Sequence, residues 1–244
     1  MSKDRTSPQE ALEIFSHKAL ASPVAEQILR LFHFGSTQRG DWHEESDIDV
    51  LVVATGYLPE VEETLLDLSW EVLEKTGWLV EPLVYCPESW EHPSFFLKGL
   101  GKHCKEIFAV GEAEERQAIA EDLMQLAYTY LEMAEQLDPE RYTRGVIDLA
   151  YNAAELVAKA WLVYLGEPIP RTHNGVMVRF GERVVREGHV SPEIGRRLRR
   201  ALGRRNRARY DPHSTDLPNE AREVLILTQT LAEAWELRGT NKDR

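Results

Sequence analysis

Cysteine is almost missing from this chain: two residues in 244, Cys86 and Cys104, with no CxxC pair and no Cys/His spacing suited to zinc. That excludes a disulfide-stapled secreted scaffold and places the chain in a reducing cytoplasm. Long apolar runs are missing as well. No stretch approaches the ~20 residues of a membrane-spanning helix, so no membrane partner is expected, and Met1-Ser2-Lys3-Asp4-Arg5 leads into no apolar core of a signal peptide. Positive charge is scarce: 29 Lys and Arg stand against 41 Asp and Glu, a net charge of −12. Such a balance argues against sequence-independent nucleic-acid binding by the whole molecule. The positive charge present is unevenly spread, however. Eight arginines and no acid lie between Arg196 and Arg209, a strip that reads as a solvated face or as an RNA contact.

The chain has two rhythms. Up to Gly111, strand-like apolar runs (28–34, 47–54, 78–85, 106–110) alternate with helical stretches (9–20, a short helix from Ser36, one from Pro59 ended by Gly77, and 94–103). The expectation is an α+β N-terminal domain, a small mixed sheet with flanking helices, over residues 1–111. Beyond Gly111 the strand signals stop. Residues 112–137, 139–165, 174–187, 191–209 and 216–238 repeat apolar residues at three- and four-residue steps. Asp138-Pro139 and Ser191-Pro192 read as helix starts, Gly166 and Gly188 as stops. An all-α helical bundle over 112–244 buries those stripes.

The most informative stretch for chemistry is Gly35-Ser36-Thr37-Gln38-Arg39-Gly40-Asp41-Trp42-His43-Glu44-Glu45-Ser46-Asp47-Ile48-Asp49, followed at once by Val50-Leu51-Val52-Val53-Ala54. A Gly-Ser turn offers free backbone N–H groups to an anion. Asp47 and Asp49, two residues apart on a strand, point to one face, about 6–7 Å apart along the backbone. Paired carboxylates of this kind suit Mg²⁺, which takes one or two of them together with phosphate oxygens and water.

That pattern resembles the signature of minimal nucleotidyltransferases of the DNA polymerase β-like superfamily: Gly35, Ser36, Gly40, Ser46, Asp47, Ile48 and Asp49 all fall on it. The resemblance covers roughly residues 10–110. It implies an enzyme that transfers an NMP from an NTP, ATP first among them, to a hydroxyl acceptor with release of pyrophosphate. It makes Asp47 and Asp49 ligands of Mg²⁺, two ions in all, with Mn²⁺ able to substitute. Gly35, Ser36, Thr37, Arg39 and Ser46 become nucleotide-binding residues, with Arg30 a weaker source of phosphate-binding charge. It also implies a third carboxylate on a neighbouring strand, for which Glu81 between Leu79 and Leu83 is the candidate, while Pro82 marks that strand as an edge.

The helical half resembles HEPN domains, on Ala150-Tyr151-Asn152-Ala153-Ala154-Glu155, Gly166-x-Pro168, Arg171-Thr172-His173-Asn174-Gly175 and Arg205-Asn206-x-x-x-Tyr210-Asp211-Pro212. That resemblance, over roughly 112–237, implies a helical partner of a nucleotidyltransferase and a homodimer. In many members an Arg, a polar residue and a following His form an RNase site. The corresponding residues are Arg205, Asn206, Tyr210 and His213, with His173 as another histidine. The whole layout is similar to kanamycin nucleotidyltransferase, which favours a small-molecule acceptor. The alternative is a toxin–antitoxin-like fusion whose nucleotidyltransferase half silences an RNase half by modifying it, with Tyr210 as a target. A third reading is nucleotide binding without turnover.

Overall fold

The computed structural model describes residues 5–87, 89, 103–214 and 217–239. The chain divides at Ala118/Ile119 into two compact units. In the first, α1 (Pro8–Ala19) precedes β1 (Ile28–Phe34), α2 (Gly35–Arg39), β2 (Ile48–Ala54), α3 (Leu58–Thr76), β3 (Val80–Tyr85) and β4 (Lys105–Ala109). The strands form one mixed sheet in the order β3-β2-β1-β4. β1 pairs antiparallel with β2 and β4, and β2 pairs parallel with β3. Two parallel neighbours need a long crossover, which α3 supplies. The helix expected at 94–103 lies essentially outside the described residues.

Strand position explains composition. β2 sits inside the sheet, and Val50 to Ala54 are all buried, so the strand reads as a continuous apolar run rather than an alternation. Val50, Val52 and Ala54 join Leu12, Phe15, Val61, Leu65 and Val72 of α1 and α3 in one core. Leu51 and Val53 meet Phe32 and Phe34 of β1 on the opposite face. By the two-residue period of a strand, Asp49 shares that second face, away from α1 and α3. Pro82, which has no N–H to give, is tolerated because β3 is an edge strand.

The second unit is helical: α4 (Glu112–Gln136, whose residues up to Ala118 belong to the first unit), α5 (Thr143–Tyr164), α6 (His173–Phe180), α7 (Pro192–Tyr210) and α8 (Leu217–Glu236). α5 is its centre. Ala150, Ala153, Ala154, Ala158 and Ala160 are fully buried there, and these small side chains allow close approach of neighbouring helices. Thr228 of α8 donates to the Ala150 carbonyl at 2.8 Å. Two expected features differ. Asp138 and Pro139 form a turn, in which the Asp138 carboxylate accepts the Glu140 N–H at 2.8 Å, and α5 begins only at Thr143. The expected helix from 174 to 187 runs as α6 and then as a π-helical turn over Gly181–Val185. Gly166 and Gly188 adopt φ of +79° and +85°, as the expected stops require.

Candidate active site

The site grows from the end of β1. Gly35 has φ +78°, and a Cβ placed there would collide with the Asp49 carboxylate, meeting its Cγ at 2.7 Å. Conformation and space therefore both demand glycine. The register that sets Phe34 opposite Asp49 creates this close approach. α2 is one turn of five residues, closed by Gly40 at φ +83°. A single turn adds little macrodipole, so attraction for an anion rests on the individual N–H groups of its first residues, which lack intrahelical partners.

Opposite that bend the structure assembles three carboxylates. Ligand oxygens of Asp47, Asp49 and Glu81 all lie within 4.8 Å of one another. Parallel register sets Asp49 directly across from Glu81, and Asp47 stands one pleat earlier on the same side. Asp47 and Asp49 are half-buried, while Glu81 is exposed. Burial, then repulsion from Asp47 and Glu81, pushes the Asp49 carboxyl up to about 6, with Arg39 opposing. An oxygen-only set of crowded acids is a hard donor set, suited to Mg²⁺ or Mn²⁺ and not to a soft metal.

The other expected residues fall in different places. The Thr37 hydroxyl is turned inward, 2.9 Å from Nε2 of buried His33; only its N–H remains for a ligand. Ser46 is buried and its Oγ accepts the His43 N–H at 3.0 Å, so it shapes the turn leading to Asp47. Arg39 is exposed and lies 3.3 Å from Asp41. Arg30 is held by Glu115 at 2.6 Å and Glu106 at 3.3 Å, which removes it as a phosphate cation.

In the helical unit Arg205 is buried, its Nε 3.3 Å from Asp148, while Asn206, Tyr210 and His213 are exposed. Arg205 does not present its charge to solvent. Sequence reading named Tyr151, Glu155 and His173 but missed that they form one polar network: buried Glu155 accepts from Tyr151 Oη at 2.8 Å and pairs with His173 Nδ1. The available signal was a glutamate four residues after a tyrosine in an alanine-rich apolar stripe, a place where an unpaired acid is costly.

A Gly-Ser bend, a carboxylate triad on a mixed sheet and an appended helical unit define the class of nucleotidyltransferases with a helical partner domain. Comparison with known families agrees: a nucleotidyltransferase-domain model matches residues 10–99 and a HEPN-domain model matches 120–237. The chain joins a nucleotidyltransferase domain to a HEPN domain. A relative from Methanocaldococcus jannaschii, a protein adenylyltransferase by name, is 37% identical over 71 residues, which cover 29% of this chain and 66% of that protein. A nucleotidyltransferase-like protein of Exiguobacterium sibiricum aligns over 98% of this chain and 81% of its own at 12% identity, with a TM-score of 0.38. The spectinomycin adenyltransferase of Enterococcus faecialis, solved with ATP and spectinomycin, aligns over 96% and 100% at 15% identity, with a TM-score of 0.32.

Proposed function

We propose that this protein transfers an NMP from ATP to a hydroxyl group, using divalent metal held by Asp47 and Asp49. The observation that carries the reading is the meeting of Asp47, Asp49 and Glu81 within 4.8 Å beside the Gly35 bend. Two Mg²⁺ ions, or Mn²⁺ in their place, would supply charge neutralisation on the triphosphate when bound. The chain's own residues do the rest. N–H groups of Gly35, Ser36 and Thr37 and the Ser36 hydroxyl hold the β- and γ-phosphates, and Arg39 adds charge from the rim. Glu81, the exposed member, takes the proton of the incoming hydroxyl. The acceptor oxygen then bonds to the α-phosphorus as the bond to pyrophosphate breaks.

A protein hydroxyl is the acceptor we favour over a small molecule, because the Methanocaldococcus relative is a protein adenylyltransferase by name. Tyr210, 73% exposed at the end of α7, offers such a hydroxyl to another copy. The buried, paired state of Arg205 speaks against RNA cleavage by Arg205, Asn206 and His213, and RNA contact along residues 196–209 is the lesser role. In this reading the protein works as a homodimer in the cytoplasm.

The test is incubation of purified protein with Mg²⁺ and each α-labelled NTP in turn. Label should move from ATP onto protein, with loss of that label in Tyr210→Phe if Tyr210 is the acceptor. Asp47→Asn should abolish transfer while circular dichroism stays unchanged. Full activity in Asp47→Asn overturns the assignment.

A further inference from the structure

The HEPN unit holds a groove with chemistry of its own. It is an open groove of about 600 Å³ between α6, the π-helical turn and the first half of α7, a size typical of small-ligand sites. Its accessible apolar lining is aliphatic: Val178, half-buried Val185 and the edge of Met177, with Leu198 buried beneath. Val178 is 51% exposed and leaves apolar surface open in the groove. A π turn widens a helix locally and is often kept at functional sites. Here it supplies Gly181 and Val185 to the lining, and a Cβ at Gly181 would meet open space.

Three guanidiniums, Arg196, Arg199 and Arg200, form the rim. Pairing along α7 is lopsided. In its second half Arg204 and Arg207 are neutralised by Glu220 and Glu223, and Arg205 and Arg209 by Asp148. In the first half Arg196 and Arg200 share Glu193 at 2.8 and 3.4 Å, while Arg199 has the neutral Asn174 amide oxygen. Among the described residues, the three lining cations thus pair with one carboxylate, in a chain whose net charge is −12. The rim is also anchored. The Thr172 hydroxyl caps α6 through Gly175 N–H at 3.0 Å. The Glu155–His173 pair ties the same turn to α5, which fixes Asn174 and through it Arg199.

We propose that this groove binds a phosphate monoester with an aliphatic body: the phosphate lies among Arg196, Arg199 and Arg200, and the chain lies on Met177, Val178 and Val185. Guanidinium forks match phosphate oxygens. The aliphatic floor selects against nucleotides, because the one aromatic residue of the lining, Phe180, is 1% exposed and offers no ring face for base stacking.

The proposal is tested by calorimetric titration of the full chain with decyl phosphate below its micelle concentration, alongside inorganic phosphate, decanol, ATP and a short single-stranded RNA. Decyl phosphate should bind at least about tenfold more tightly than any of the others. Arg199→Gln and Arg200→Gln should each weaken it about tenfold, the loss of one charge-assisted pair. Val178→Ser, a neutral change at a half-exposed position, should weaken it while leaving inorganic phosphate unaffected. Asp49→Asn should bind as the wild type does, which separates this groove from the carboxylate triad. Tighter binding of ATP or RNA with the same arginine dependence would overturn the aliphatic assignment. No saturable binding of decyl phosphate, or binding indifferent to Arg199 and Arg200, would overturn the site.

Discussion

Replacing Asp49 with Asn should make the metal-free protein more stable and at the same time end its chemistry. The Asp49 carboxyl, ordinarily near 3.8, is pushed up to about 6 by burial and by Asp47 and Glu81. About two units at 1.36 kcal/mol each set a ceiling near 3 kcal/mol. The site is partly open to water, so screening reduces this to about 1–2 kcal/mol. Between pH 3.8 and 6 the folded state keeps a proton that the unfolded chain has lost. Stability therefore falls as pH rises through that window, and the full penalty stands above it. The amide is nearly isosteric and uncharged, so at pH 8 in EDTA the Asp49→Asn protein should melt about 2–8 °C above wild type, and at pH 3.5 the two should coincide. With Mg²⁺ and ATP the order should reverse: ligand binding raises the wild-type Tm by mass action and leaves the variant unmoved. Scanning calorimetry of both proteins in these three conditions decides it. A variant that is folded but melts at or below wild type in EDTA at pH 8 would refute the claim that burial and the two neighbouring acids make an ionised Asp49 costly to the fold.

Three further outcomes are expected. Gly35→Ala should lower stability by about 1–3 kcal/mol through its positive φ and abolish label transfer, because the added methyl displaces the Asp49 carboxylate; urea denaturation and the α-labelled ATP assay read the two effects. Apparent Mg²⁺ affinity should weaken as pH falls through about 6, where Asp49 takes up a proton in competition with the ion, and titrations at pH 5 and pH 8 should differ accordingly. In the helical unit, burial alone would raise the Glu155 carboxyl, but hydrogen bonds from His173 and Tyr151, with Lys159 nearby, hold it below the usual carboxylate range. Its contribution is thus present above that range and lost as pH falls below it. Glu155→Gln should cost about 1–3 kcal/mol at pH 7, and markedly less at pH 3, by urea denaturation.

Local chemistry was legible in the chain. The residues at Gly35, Ser36, Asp47 and Asp49 announced a Gly-Ser bend and two acids on one side because turn formation and strand period act over a few neighbours. The helical half was legible for the same reason: a stripe such as Ile147, Tyr151, Ala154 and Ala158 needs only its own spacing. The start of α5 was misjudged, because Asp138-Pro139 satisfies its own turn and the choice between turn and helix lies in packing beyond it.

Tertiary structure decided what depends on partners distant in sequence. Glu81 joins Asp49 only through the parallel register of β2 and β3, across the whole of α3. Arg30 and Arg39 look alike in sequence, yet Glu115 claims one and leaves the other at the rim. Ser46 and Thr37 carry hydroxyls suited to a nucleotide, and the fold turns both inward. The eight arginines of α7 read as one strip, and acids from α5 and α8 neutralise its second half while the first remains charged. Spacing along the chain fixes which side chains can act together locally; pairing between elements fixes which of them are free to act.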